Sequence, residues 1–156
     1  MLLWFATLGK LKTGDLLVDK GIIDVQHALC PFCRMDLETN SHILFYCHFS
    51  WNIWTTILNW WGINGVLHDQ CEMFILHWSG LWMSRKMKKL WSLILSCVIW
   101  SLWYERNRAK FEASTPDLHN FTYLLKIRVG FWAKEILGIV SFSPHDLGNN
   151  FGAFLR

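Results

Sequence analysis

Apolar residues recur at helical spacing over much of this chain. From His48 onward, Phe49, Ile53, Trp54, Ile57, Leu58 and Trp61 fall three or four residues apart, which lays one apolar stripe along a helix. A second, shorter helix is expected from about Gln70 to Trp78, with Phe74, Ile75 and Trp78 inside, between a break at Gly62 and Gly65 and another at Ser79-Gly80. The longest helix is predicted from about Arg85 to Phe111. Its middle, Leu90 to Tyr104, reads LWSLILSCVIWSLWY and carries no charge. A last helix is expected from about Pro116 to Leu137, with Phe121, Leu124, Leu125, Arg128, Phe131, Trp132 and Ile136 near helical spacing. Thr115 is the expected cap there and Pro116 the first helical residue.

The front of the chain is patterned differently. Residues 3–12 form an apolar lead-in, and Thr13 is placed to cap a short helix from Gly14 to Lys20 that Gly21 ends. Leu16, Leu17 and Val18 are its expected buried side. After Ile22 and Ile23 the chain is polar up to Cys30 and again from Arg34 to Asn40, where Thr39, Asn40 or Ser41 is suited to cap the next turn. So little apolar material needs another source of order.

Cysteine supplies one. Cys30-Pro31-Phe32-Cys33 reads as a tight turn in which proline fixes one torsion and two thiols converge. His42 and Cys47 follow, giving C-x2-C-x8-H-x4-C. Structural zinc takes four sulfur or nitrogen donors in a tetrahedron, and this spacing returns the chain to close such a shell. The expected metal ligands are therefore Cys30, Cys33, His42 and Cys47, with Zn²⁺ as cofactor and no open position for catalytic water. His48 adjoins a ligand already and is the poorer choice. Cys71 and Cys97 lie within apolar helical patterns and read as packed thiols. The fold class is mainly α: a small zinc-stapled N-terminal module packed with about three longer helices. The expected organisation is a zinc-binding module over 1–61, a helical region over 62–138 and a loosely ordered tail over 139–156.

Composition sharpens this picture. Apolar residues make up 53% and charged residues 17% of 156, which rules out a disordered chain. The 11 tryptophans exceed what so small a body hides, so some rings are expected on the surface. Five cysteines, clustered and odd in number, argue against a secreted disulfide framework. No basic segment precedes the first apolar run, as a secretory signal requires. An intracellular location, nuclear or cytoplasmic, follows as the expectation. The 15-residue uncharged run is shorter than the roughly 20 residues of a spanning helix, so a buried helix is preferred to a membrane-associated remnant using residues 87–110.

The overall charge of +3 divides into +6 between Arg85 and Phe111 and −3 elsewhere. Arg85, Lys86, Lys88, Lys89, Arg106, Arg108 and Lys110 are thus candidate phosphate contacts, with Trp91, Trp103 and Tyr104 among them as candidate stacking rings. The competing reading makes the same cations the solvated ends of a core helix. No phosphate-binding glycine loop, nucleophilic triad or acid–base pair is present; Asp15 and Asp19 read as one solvated helix face.

Several motifs together resemble the zinc-binding domain that follows the reverse transcriptase of plant LINE-type (non-LTR) retrotransposons. They are Phe5-Ala6, Leu11 to Leu16 (LKTGDL), Cys30 to Cys33 (CPFC), Glu38-Thr39, His42 to Phe45 (HILF), Cys47 and Trp54. Ile99-Trp100 and Trp103 to Asn107 (WYERN) resemble a downstream segment of such proteins. The resemblance implies zinc on the same four ligands and a nucleic-acid-associated role. RNA or single-stranded DNA, a reverse transcriptase domain or another protein chain are the implied partners, and a membrane is not. The polymerase acid motif is missing, so the expected function is that of a non-catalytic module. The alternative is a zinc-stabilised protein-interaction scaffold.

Overall fold

The computed structural model describes residues 2–60, 73 and 85–138, with the backbone alone at 85–87 and 136–137. Apart from Met73, the expected helix at 70–78, the breaks at Gly62 and Gly65, Trp61, Cys71 and the tail from 139 lie outside the described residues.

Among the described residues five α-helices follow one another: α1 (Leu2–Thr7), α2 (Gly14–Asp19), α3 (His48–Trp60), α4 (Arg85–Phe111) and α5 (Leu118–Leu137). A 3-10 turn spans Val25–His27, and a π turn spans His42–Tyr46 just before α3. Among the described residues there is no β-strand, only an antiparallel bridge between Leu29 and Leu37. The mainly α expectation holds, and the boundaries of the long helix are those its pattern predicts.

Helix α4 is the axis of the fold. It packs against α1 and the π turn and, most extensively, against α5, while α3 also meets α5. Being covered on several sides, α4 buries nearly all of its uncharged middle, including Trp91, Ile94, Val98 and Leu102. One stripe at four-residue steps stays outside: Ser92, Trp100 and Tyr104 are exposed. No helix among the described residues is long and apolar enough to cross a membrane. The buried side chains of α4 join Ile43, Leu44, Phe45, Trp54 and Ile57 in one core that also takes in Phe121, Leu125 and Val129 of α5.

Two caps differ from the sequence reading. Thr13 makes no side-chain cap on α2; it is fully buried, and its hydroxyl donates to Asp15 and Leu11. The start of α2 is satisfied from afar, because Gly14 N donates to Glu38 Oε2 at 3.0 Å. Leu16, Leu17 and Val18 are half-buried, whereas Gly14 is buried. A Cβ on Gly14 would lie 2.7 Å from the Ala28 carbonyl oxygen, so only glycine lets α2 approach this strand of backbone. Helix α5 is capped by Asp117 and not by Thr115: its carboxylate accepts from Asn120 N at 2.6 Å, so the helix starts at Leu118. Gly138, at φ 65°, closes the other end.

Candidate metal centre

The first two candidate ligands come from a tight turn. Arg34 N donates to Cys30 O at 2.8 Å and Cys30 N to Asp36 O at 2.8 Å, and Arg34 adopts φ 56° to reverse the chain. Cys30 and Cys33 thereby share one side of the loop.

The second pair depends on the π turn. In an α-helix, side chains five residues apart point about 140° away from each other. Here Cys47 N donates to His42 O at 2.7 Å, an i→i+5 bond, which widens the turn and returns residue 47 to nearly the same side as residue 42. Thr39 starts the turn, its hydroxyl accepting from His42 N at 3.1 Å. The carbonyls left over in so wide a turn find side-chain donors. Ser50 Oγ donates to Ile43 O at 2.6 Å and the indole of buried Trp54 to Leu44 O at 2.7 Å.

The result is four donors around one point. Cys30 and Cys47 are buried, Cys33 and His42 are half-buried, and all four ligand atoms lie within 4.8 Å of one another. Cys30 Sγ is 3.8 Å from Cys47 Sγ, and Cys33 Sγ is 3.4 Å from His42 Nε2. A zinc tetrahedron with bonds of about 2.3 Å to sulfur and about 2.0 Å to nitrogen has edges of about 3.8 Å and about 3.5 Å. The donor set and spacing fit that ion. The imidazole offers Nε2 to the thiols, while the exposed carboxylate of Asp36 places Oδ2 4.0 Å from Nδ1, too far for a hydrogen bond.

These groups act on one another's protons. The hydrogen bond to Cys47, with burial, pushes the Cys30 thiol up to about 12, and the same bond lowers Cys47. Hydrogen bonding to Cys30 in the main, and also to Cys33, raises His42 to about 9. A cation among them takes the place of those protons.

Residues 1–54 match the family described as zinc-binding in reverse transcriptase. No curated protein and no solved structure matches the chain. The matched stretch contains the whole quartet and supports a zinc-binding module; the match is to a zinc-binding domain, and no polymerase domain is matched.

Three other described histidines and cysteines lie outside the quartet. His48 is exposed beside Asn52, His27 is exposed, and Cys97 is a fully buried thiol of α4 that burial pushes up to about 12. The candidate phosphate contacts are dispersed. Lys88 and Lys89 are exposed, and Arg85 and Lys86 have only their backbone described. Lys110 donates to His27 O at 2.7 Å, and Arg108 pairs with Glu105 at 3.3 Å and Glu112 at 3.5 Å. Arg106 leaves the set altogether: it is 3% exposed and bound to fully buried Glu38. The helix turns this side chain inward toward a carboxylate, where no phosphate reaches it. Trp91 is also buried, while Trp100 and Tyr104 stack at the surface with ring centroids 5.3 Å apart.

Sequence reasoning missed the Glu38–Arg106 pair. Glu38 and Arg106 both stood in the motifs quoted above, an acid beside a capping threonine and an arginine at the end of an apolar run. Nothing in a spacing of 68 residues joins them.

Proposed function

We propose that this chain is a non-catalytic zinc module of the kind that accompanies a reverse transcriptase, derived from a plant LINE-type retrotransposon, with zinc held by Cys30, Cys33, His42 and Cys47. The observation that carries the reading is the quartet itself: two donor pairs at 3.8 Å and 3.4 Å, brought together by two independent backbone turns. Four protein donors complete a tetrahedron, so the ion's work is structural.

A nucleic-acid role enters through the surface. Lys88 and Lys89 are exposed on α4, and the stacked Trp100 and Tyr104 rings lie on the same helix, with the Arg128 guanidinium 5.0 Å and 5.4 Å from their centres. Cations neutralise phosphates and exposed rings stack on unpaired bases. A scaffold reading has its own support. Phe131, three residues after Arg128 on α5, is 54% exposed, aromatic and Arg side chains are frequent at the centre of protein interfaces, and Arg108 is already neutralised by two acids.

Metal analysis of the purified chain tests the first reading, with one equivalent of zinc expected in the parent and none after Cys33→Ser. Binding to single-stranded RNA is then measured at rising salt. A steep loss of affinity supports phosphate contact, and no binding even at low salt leaves the scaffold ahead.

A further inference from the structure

We infer that Arg106, which touches none of the four donors, sets how tightly the quartet holds its ion. The inference rests on the zinc reading above. Arg106 acts through Glu38, which lies on the loop between Cys33 and His42, and it is therefore a positioning residue.

Glu38 joins four parts of the chain. Its Oε1 accepts from Arg106 Nε, and its Oε2 accepts from Arg106 Nη2 at 2.8 Å and from Gly14 N at 3.0 Å. Its backbone N–H donates to Ala28 O at 2.8 Å, and its carbonyl accepts from Asp15 N at 3.1 Å. One residue thus ties the metal loop to α2, to the segment before Cys30 and to α4. The carboxylate is fully buried, and Arg106 is its sole charged partner among the described residues. The guanidinium is fixed in turn. It donates to Lys12 O at 3.2 Å and Asn107 Oδ1 at 2.9 Å, and it lies 4.7 Å from the centre of the Trp103 ring.

An unpaired buried carboxylate is far costlier than one paired and hydrogen-bonded. The loop conformation that brings Cys33 and His42 together also buries Glu38. With Arg106 present that burial is compensated; without it, an open loop that returns Glu38 to water becomes the better state. Zinc selects the closed loop, so any added cost of closing is subtracted from the free energy of metal binding. By reciprocity the bound ion strengthens the docking of α4 on the N-terminal region. The family match ends at residue 54, and Arg106 stands well beyond it. The unit that binds metal tightly in this chain accordingly reaches into α4.

The test measures zinc affinity of the full chain by competition with a chromogenic chelator, with helix content followed by circular dichroism. Arg106→Met is expected to weaken binding about tenfold or more, within the usual range of coupling between separate sites. The double variant Glu38→Gln/Arg106→Met recovers most of the loss, because no charge stays buried and the amide oxygen still accepts from Gly14 N. Arg128→Met removes a guanidinium that bonds Ser101 from α5 and stays within about twofold of the parent. A folded Arg106→Met with parental affinity overturns the inference, and so does an equal loss in Arg128→Met. Should Arg106→Met not fold, Arg106→Gln decides: it keeps hydrogen-bond donors beside Glu38 but no charge, and parental affinity there overturns the inference as well. A parent chain that takes up no zinc refutes the underlying reading instead, and the inference with it.

Discussion

Residues 2–40 bury Ala6, Leu11, Ala28 and Cys30 as apolar side chains, together with the polar Thr13, Glu38 and Asn40. Helix α4 by itself buries nine apolar residues between Leu90 and Leu102. The first region is built from six-residue helices and turns, too short to persist in isolation; the second is a 27-residue helix packed on another of 20. The front of the molecule therefore relies on a few directional contacts, such as Asn40 Nδ2 to Ala6 O at 2.8 Å, Glu38 to α2 and α4, and four potential metal donors within 4.8 Å of one another. The back relies on area, spread over many side chains. Order that rests on few atoms is lost when one of them goes, whereas order that rests on area degrades in proportion.

The largest expected effect is at the metal. Cys33→Ser removes one of the four donors of the proposed zinc site, and structural zinc supplies on the order of 10 kcal/mol of folding free energy to small modules. Amide exchange should become fast from residue 28 to 47 while the middle of α4 stays protected. Uniform deprotection of both regions would erase the distinction drawn between them. Next is Leu102→Ala in α4, a fully buried side chain, with a loss of about 2–5 kcal/mol by denaturant titration and one equivalent of zinc retained. Zinc loss in that variant would mean that area, and not the quartet, holds the front together.

Gly14→Ala places a methyl group against the Ala28 backbone and should cost about 1–3 kcal/mol, with protection lost first in residues 13–38. The smallest effect is at the α5 cap, where Asp117→Ala removes the bond to Asn120 N and costs about 1 kcal/mol without touching zinc. The pH dependence of zinc uptake has a definite sign. Cys30 and His42 hold their protons up to about 12 and about 9, and the ion must displace them, so affinity rises with pH across the neutral range.

Much of this was legible along the chain. The extent of α4 followed from its apolar run, and the four donors from their spacing, because helical period and ligand spacing are local properties that a sequence displays directly. The α5 start shifted from Pro116 to Leu118 because Asp117, a charged acceptor, takes the free N–H of Asn120 in place of Thr115. Thr13 was misread for a related reason: its hydroxyl bonds to Leu11 and Asp15, leaving Glu38 to cap α2 from another part of the chain. The basic residues of α4 show the same limit. Charge and order in sequence do not say which way a side chain faces, and Arg106 faces the core.

The sequence by itself determined where helices form, which residues are able to ligate a metal and how much apolar surface had to be hidden. These depend on periods and spacings of a few residues. Tertiary structure alone decided that a π turn swings Cys47 beneath His42, that α4 is covered on several sides with Trp100 and Tyr104 left outside, and that Glu38 meets Arg106. Each of these is a match between segments far apart in the chain, where the cost of burying a polar group is met only by whichever partner the fold brings to it.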